Sequence, residues 1–199
     1  MHSLYITHPE VVIDPNVPTP RWGLSPTGMA RARAFAARGL VPRGWPIVAS
    51  TEQKAIDLAQ ILAESTGGEV RLDAALGEND RSSTGYLRPE QFEALVDRFF
   101  GDPDANPEGW ESAREAQRRV VEAVRVTLAG IGGPALFCGH GAVGTLLKCH
   151  VGGRAIARRE DQRETAWKGG GNVFAFSLEP RRLVDDWVAM EDFAGLPAA

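Results

Sequence analysis

The sequence predicts an α/β protein: a three-layer α/β/α sandwich around a central, mostly parallel sheet. Short apolar runs alternate along the chain with segments of helical period, and helix-start signals and glycine stops separate the two kinds. Two of the runs, Leu4 to Pro9 and Ala135 to Gly141, also each end by delivering one histidine, His8 and His140.

Taken in order, Leu4-Tyr5-Ile6-Thr7-His8-Pro9 is a buried strand stopped by proline. Glu10 to Gly23 is a long connection holding Pro15, Pro18 and Pro20, with Arg21 and Trp22 as the first candidates to line a site. Ser25 caps a helix that has Pro26 at its first position and ends at Gly39. Pro46 to Ala49 is a second strand. Ser50-Thr51-Glu52-Gln53 has capping-box spacing, so the next helix is expected to open there. Ala55, Leu58, Ala59 and Leu62 form its inner face, Gly67-Gly68 stops it, and Glu69 to Leu72 is a strand.

Leu76 to Pro89 has no period and is polar. Helices are expected over Pro89 to Phe100 and from Glu111 to Gly130, the second with Ala113, Ala116, Val120 and Val124 turned inward. Pro134 to Cys138 is the strand that leads to His140, and Val143, Leu146 and Leu147 share one face of the helix after it. Arg154 to Gly171 reads as a solvated, charged loop, or a lid hinged at Gly169-Gly170-Gly171 and carrying Trp167. Val173 to Ser177 and Leu183 to Met190 complete the sheet as strands. Residues 1–199 read as one domain, without repeats or linkers.

An apolar content of 43% supports a sizeable core, and a net charge of −4 gives no basic field for nucleic acid or an anionic membrane. No apolar run approaches a membrane span, and the first residues lack signal-peptide character. Cys138 and Cys149 form neither a disulfide framework nor a metal spacing. These features predict a cytoplasmic protein with no metal and no cofactor; they leave its oligomeric state open.

Ligands of open α/β sheets bind at the carboxyl ends of the strands. His8 and His140 are expected there, with Ser50 at another strand end and Glu78 beyond a fourth. His140 also precedes a helix, whose N-terminus favours an anion, and its flanking Gly139 and Gly141 permit close backbone approach. The pattern points to phosphate, with one histidine as nucleophile.

Five stretches occur in an order that resembles the histidine phosphatase (phosphoglycerate mutase-like) superfamily: Leu4 to His8, Ser25-Pro26-Thr27-Gly28, Ala49 to Ala55, Leu76-Gly77-Glu78 and Gly139-His140-Gly141. The resemblance implies a phosphoglycerate mutase-like fold and a small phosphorylated substrate. It makes His8 the phosphoryl acceptor, Glu78 the proton donor to the leaving group, and His140 a contact of the transferring group. The implied activity is metal-independent phosphomonoester hydrolysis through a phosphohistidine.

The chain departs from the family pattern in three places. Thr7-His8-Pro9 stands where the family has Arg-His-Gly, and Lys54 stands at the arginine of the Ser-x-x-x-Arg-Ala stretch. Thr7 loses a planar fork, Lys54 keeps charge without bidentate geometry, and Pro9 removes an N–H. Losing such a donor from a phosphoryl clamp costs about 3 kcal/mol of transition-state stabilisation. Arg21 and then Arg81 are the candidates to compensate, so the expected phosphate contacts are Thr7, Arg21, Lys54, Arg81 and Gly141. Two further readings stand beside the hydrolase: a catalytically weak or inactive relative that binds a phosphorylated ligand or partner, and a phosphoglycerate-type mutase. Specificity is expected from the Gln91–Gly109 and Arg154–Gly171 regions.

Overall fold

Alternation of side chains along four central strands decides how this chain layers. The structure, a computed structural model, describes residues 2–197. In β1 (Ser3–Thr7), Leu4 and Ile6 face one way and Tyr5 the other. The same division holds in β2 (Ile47–Ala49), in β4 (Leu136–Gly139), where Leu136 and Cys138 oppose Phe137, and in β5 (Asn172–Ser177), where Val173 and Ala175 oppose Phe174 and Phe176. A strand apolar on both faces must be covered on both. α1 (Pro26–Ala37) and α2 (Gln53–Thr66) cover one face; α3 (Pro89–Gly101), α4 (Ala113–Ile131) and α5 (Gly141–Gly152) cover the other.

With β3 (Val70–Leu72) and β6 (Arg182–Leu183), the strand order is β3-β2-β4-β1-β5-β6; β7 (Val188–Ala189) also pairs with β5. β3, β2, β4 and β1 pair in parallel, and β5 pairs antiparallel with β1, β6 and β7. This mixed sheet between two helical layers is the predicted α/β/α sandwich. Among the described residues, no helix is long and apolar enough to cross a membrane.

Register places the site. Thr7 pairs with Gly139 and the His8 N–H donates to the Gly139 carbonyl at 3.0 Å, so β1 and β4 end at one level and release His8 and His140 side by side. Ser50 leaves β2 beside them, its N–H donating to the Cys138 carbonyl at 3.2 Å.

Three local expectations are corrected. Ser50 does not cap α2. The N-cap is Glu52, which makes no side-chain capping bond because its carboxylate meets Lys54 and the Glu78 N–H; the Ser50 hydroxyl accepts the Glu52 N–H at 3.2 Å and meets His140. The expected strand over Leu183 to Met190 is two short strands: the N–H groups of Val184 and Asp185 share the Ala175 carbonyl, and Asp186 leaves the ladder to meet Lys148 and Arg154. The charged stretch Arg154 to Gly171 is also not simply solvated. It contains α6 (Gln162–Thr165), buries Asp161 and Gln162, and ties Arg158 and Arg163 to Glu93 of α3.

Candidate active site

The rings of His8 and His140 meet edge to face with centroids 5.3 Å apart. His8 is partly buried, and its Nδ1 lies 2.9 Å from the Pro9 carbonyl. A carbonyl can only accept, so Nδ1 carries the proton and the Nε2 lone pair is free. Burial pushes the imidazole down to about 4; the Pro9 carbonyl opposes this and the charge of Lys54 reinforces it.

His140 is fully enclosed, and burial brings it also to about 4 against the pull of Glu52 and Glu78. Its Nε2 is 2.6 Å from the Ser50 hydroxyl and 3.5 Å from Glu52 Oε1, while its Nδ1 has no hydrogen-bond partner among the described residues. From below, the Tyr5 hydroxyl receives the His140 N–H at 3.0 Å. That approach requires Gly139: a Cβ there would lie 2.2 Å from the Tyr5 hydroxyl.

Glu78 follows β3 and a 3-10 turn, Ala74–Leu76. Arg119 of α4 pins this segment by donating to the carbonyls of Ala75, Gly77 and Glu78 at 2.8, 3.0 and 3.3 Å. The Glu78 carboxylate accepts the N–H groups of Ala142 and Val143 at 3.3 and 3.1 Å, so it sits on the N-terminus of α5 beside His140. Gly141, the first residue of that helix, faces Gln162; a Cβ would lie 2.2 Å from the Gln162 Nε2.

Lys54 is buried. Its ammonium donates to the Thr19 carbonyl at 2.8 Å and to Glu52 Oε2 at 2.5 Å. Burial alone would raise the Glu52 carboxyl, but His140, Lys54 and the Glu78 N–H more than offset this and bring it to about 2.

The remaining expected phosphate contacts fall elsewhere. Thr7 is fully buried with its hydroxyl committed: it donates to Gln162 Oε1 at 2.8 Å and accepts the Asn172 N–H at 2.9 Å. Thr7 is therefore a brace between β1, β5 and α6 and leaves no hydroxyl for a ligand. Arg21 is exposed at the end of a 3-10 turn, Thr19–Arg21, and the structure brings no contact between it and either histidine. Arg81 lies closer. Its guanidinium stacks over Phe92 and Trp110, 5.0 and 5.7 Å from the ring centroids, in a cavity of about 60 Å³ that Glu78 and Ala142 also line.

Sequence reasoning missed Glu52 and Gln162; Ser50 it placed at a strand end near the histidines while also starting α2 there. Glu52 was absorbed by the capping-box pattern, and Gln162 by a charged run. The only available signal was position: Ser50 and Glu52 directly follow a strand end.

Two expected results follow from these contacts. Thr7→Val strips the hydroxyl from Gln162 and the Asn172 N–H and is expected to cost about 1–3 kcal/mol in chemical denaturation, because the Asn172 N–H is left buried and unpaired while Gln162 Oε1 keeps only the Asn172 Nδ2 at 2.8 Å. The second concerns pH. Both histidines have folded values near 4 against an ordinary 6.5, so the unfolded chain binds more protons between these limits. Their stabilisation is complete above 6.5 and is lost as pH falls towards 4. Between pH 7 and 5 the loss is expected to be about 2 kcal/mol for His140 and less for the partly exposed His8. Denaturation midpoints across that window check it, and His140→Asn should flatten the slope. Glu52 is depressed from 4.5, so its contribution falls away at lower pH, from 4.5 towards 2.

No curated protein matches the chain. Among solved structures, the complex of mycobacterial glucosyl-3-phosphoglycerate phosphatase with inorganic phosphate superposes with a TM-score of 0.75 at 22% identity, covering 96% of this chain and 99% of that one. YhfR from Bacillus stearothermophilus superposes with a TM-score of 0.73 at 19% identity, covering 92% and 93%. At such identities the likeness establishes the fold. The family model of the histidine phosphatase superfamily (branch 1) matches residues 17–166, a range that starts after His8 and includes Lys54, Glu78 and His140. That range is well over half of the sequence, and with the fold it shows that this chain belongs to the histidine phosphatase superfamily.

Proposed function

We propose that this protein is a phosphomonoester hydrolase that works through a phosphohistidine on His8. Membership of a phosphatase superfamily supports phosphatase activity in general. The observation that carries the finer reading is the state of His8: neutral, held through Nδ1 by the Pro9 carbonyl, with Nε2 free beside His140. Such a ring needs no base to become a nucleophile.

In this reading Nε2 attacks phosphorus in line, the ester P–O bond breaks, and the leaving oxygen takes a proton from the Glu78 carboxyl. Water then attacks the phosphohistidine, gives its proton back to Glu78, and releases phosphate and free His8. To exchange protons Glu78 must loosen its hold on the Ala142 and Val143 N–H groups, which are then free to meet phosphoryl oxygens. His140 has one task. With Ser50 donating to Nε2, the proton of the neutral ring sits on Nδ1, the atom without a partner, where it can be given to the phosphoryl group. Residues 1–199 serve as one domain in this scheme, and no metal enters it.

The second reading, a weak or inactive relative that binds a phosphorylated ligand, is favoured by Thr7 and Lys54. One is spent on Gln162 and Asn172 and the other is held by Glu52, so neither position offers a guanidinium fork. Rapid-quench intact-mass measurement with an aryl phosphate separates the readings. The hydrolase is expected to give a transient, acid-labile phosphoryl adduct on His8 and release phosphate without added metal. Binding with neither adduct nor release would favour the second reading. Transfer of the adduct to phosphoglycerate faster than to water would mark a mutase.

A further inference from the structure

The charges that enclose the seat between the two histidines do not favour a doubly charged phosphoryl group. Both rings are neutral. Lys54 brings a positive charge, but its ammonium lies against Glu52 Oε2 in an almost closed pair, with side-chain exposures of 4% and 13%. The other Glu52 oxygen lies 3.5 Å from His140 Nε2 and accepts the Glu78 N–H at 2.9 Å. Glu52 therefore sets a negative charge beside that of Lys54 on the Nε2 side of His140, where both charges act on the two rings. Arg81 is stacked on aromatic rings to one side, and Arg158 and Arg163, which line the same cavity, are tied to Glu93. Glu52 is the member of this group with no counterpart in the expected chemistry: it is neither nucleophile nor proton donor, yet it touches Lys54, His140 and the Glu78 backbone together.

We propose that Glu52 is a specificity-determining residue that cancels the charge of Lys54, so that the seat selects singly charged phosphoryl groups over dianions. The ligand class is a phosphoryl group carrying one negative charge: the monoanion of a phosphomonoester, or a diester. The physical basis is Coulombic. Repulsion from a fixed carboxylate grows in proportion to the charge on the ligand, so it weighs about twice as heavily on a dianion as on a monoanion. In a site shielded from solvent little screening reduces that difference. The inference rests on the reading of His8 and His140 as the phosphoryl seat, but not on turnover.

A charge-reversing cycle tests it. Dissociation constants for methyl phosphate, a dianion at pH 8, and dimethyl phosphate, a monoanion, are measured by calorimetry. The proteins are the wild type, Glu52→Gln, Lys54→Gln and the double variant. Relative to the wild type, Glu52→Gln is expected to shift the affinity ratio towards methyl phosphate by about tenfold or more, and Lys54→Gln to shift it as far the other way. The double variant removes the pair as a unit and should return the ratio to within about threefold of the wild type.

A structural brace would behave differently: Glu52→Gln would weaken both ligands alike and leave the ratio unchanged, which would overturn the proposal. Thermal melts report whether each variant is folded. If Glu52→Gln is not, Lys54→Gln must still lose the dianion selectively and the double variant must still restore the ratio. Failure of all four forms to bind either ligand also overturns it. A wild type with the expected ratios but no turnover defeats the hydrolase reading and leaves this one standing; turnover with unchanged ratios does the reverse.

Discussion

His8→Ala is expected to lower kcat for an aryl phosphate by at least about four orders of magnitude, the scale on which losing a nucleophile acts. The reason lies in the geometry around the two rings. His8 is the histidine whose Nε2 is free, because Pro9 holds its Nδ1. His140 cannot take over through its own Nε2, which is 2.6 Å from the Ser50 hydroxyl. With His8 gone, water would have to attack the ester directly, helped only by whatever holds the phosphoryl oxygens. The substitution should not unfold the protein, since His8 is partly exposed at a strand end and its neutral burial is a cost below pH 6.5. Steady-state hydrolysis with a parallel melt checks both points. Equal turnover in the variant and the wild type would remove His8 from the mechanism.

Phe174→Ala is expected to be the most damaging single change to the framework, at about 3–5 kcal/mol. That is a large share of the ~5–15 kcal/mol that holds a typical domain together. Phe174 is fully buried in β5, stacked on Tyr5 with centroids 5.3 Å apart and edge-on to Trp187 at 4.7 Å. Two of its ring neighbours, Tyr5 and Phe176, are held in register on β1 and β5, so the space it leaves cannot readily collapse. The midpoint in urea should fall with little change in slope, and the melting temperature should drop by roughly 10 °C. The effect reaches the site through Tyr5, whose ring rests on Phe174 and whose hydroxyl carries the His140 backbone. Activity measured well below the melt should therefore fall as well. A loss under about 1 kcal/mol would mean that the surrounding side chains close the gap.

Residues near one another in sequence determined most of what was readable beforehand. The unbroken apolar run Leu4–Ile6 marks a strand buried on both faces, the spacing of Ala55, Leu58, Ala59 and Leu62 marks one buried face of a helix, and the structure buries those positions. The Ser25-Pro26 start of α1 and the Gly67 end of α2 were legible for the same reason, because backbone conformation at a helix end is decided by a few adjacent residues. His8 and His140 stood out because each ends an apolar run, and the parallel pairing of Thr7 with Gly139 brings them together.

Tertiary structure alone decided what the side chains around them do. A hydroxyl, an amide or a carboxylate has no preferred partner until the fold supplies one. Thr7 resembles a ligand contact in sequence, yet it meets Gln162 across 155 positions. Ser50 resembles a helix cap, yet it is drawn to His140 across 90 positions. Glu52 resembles part of the same cap, yet it closes on Lys54 and reaches the Glu78 N–H. Burial makes each of these polar groups take a partner, and the sheet register chooses which partners are near enough. The sequence by itself determined a layered α/β frame with two histidines at the ends of its strands; the register and the crossing of distant segments decided that a partly buried carboxylate would stand between Lys54 and His140.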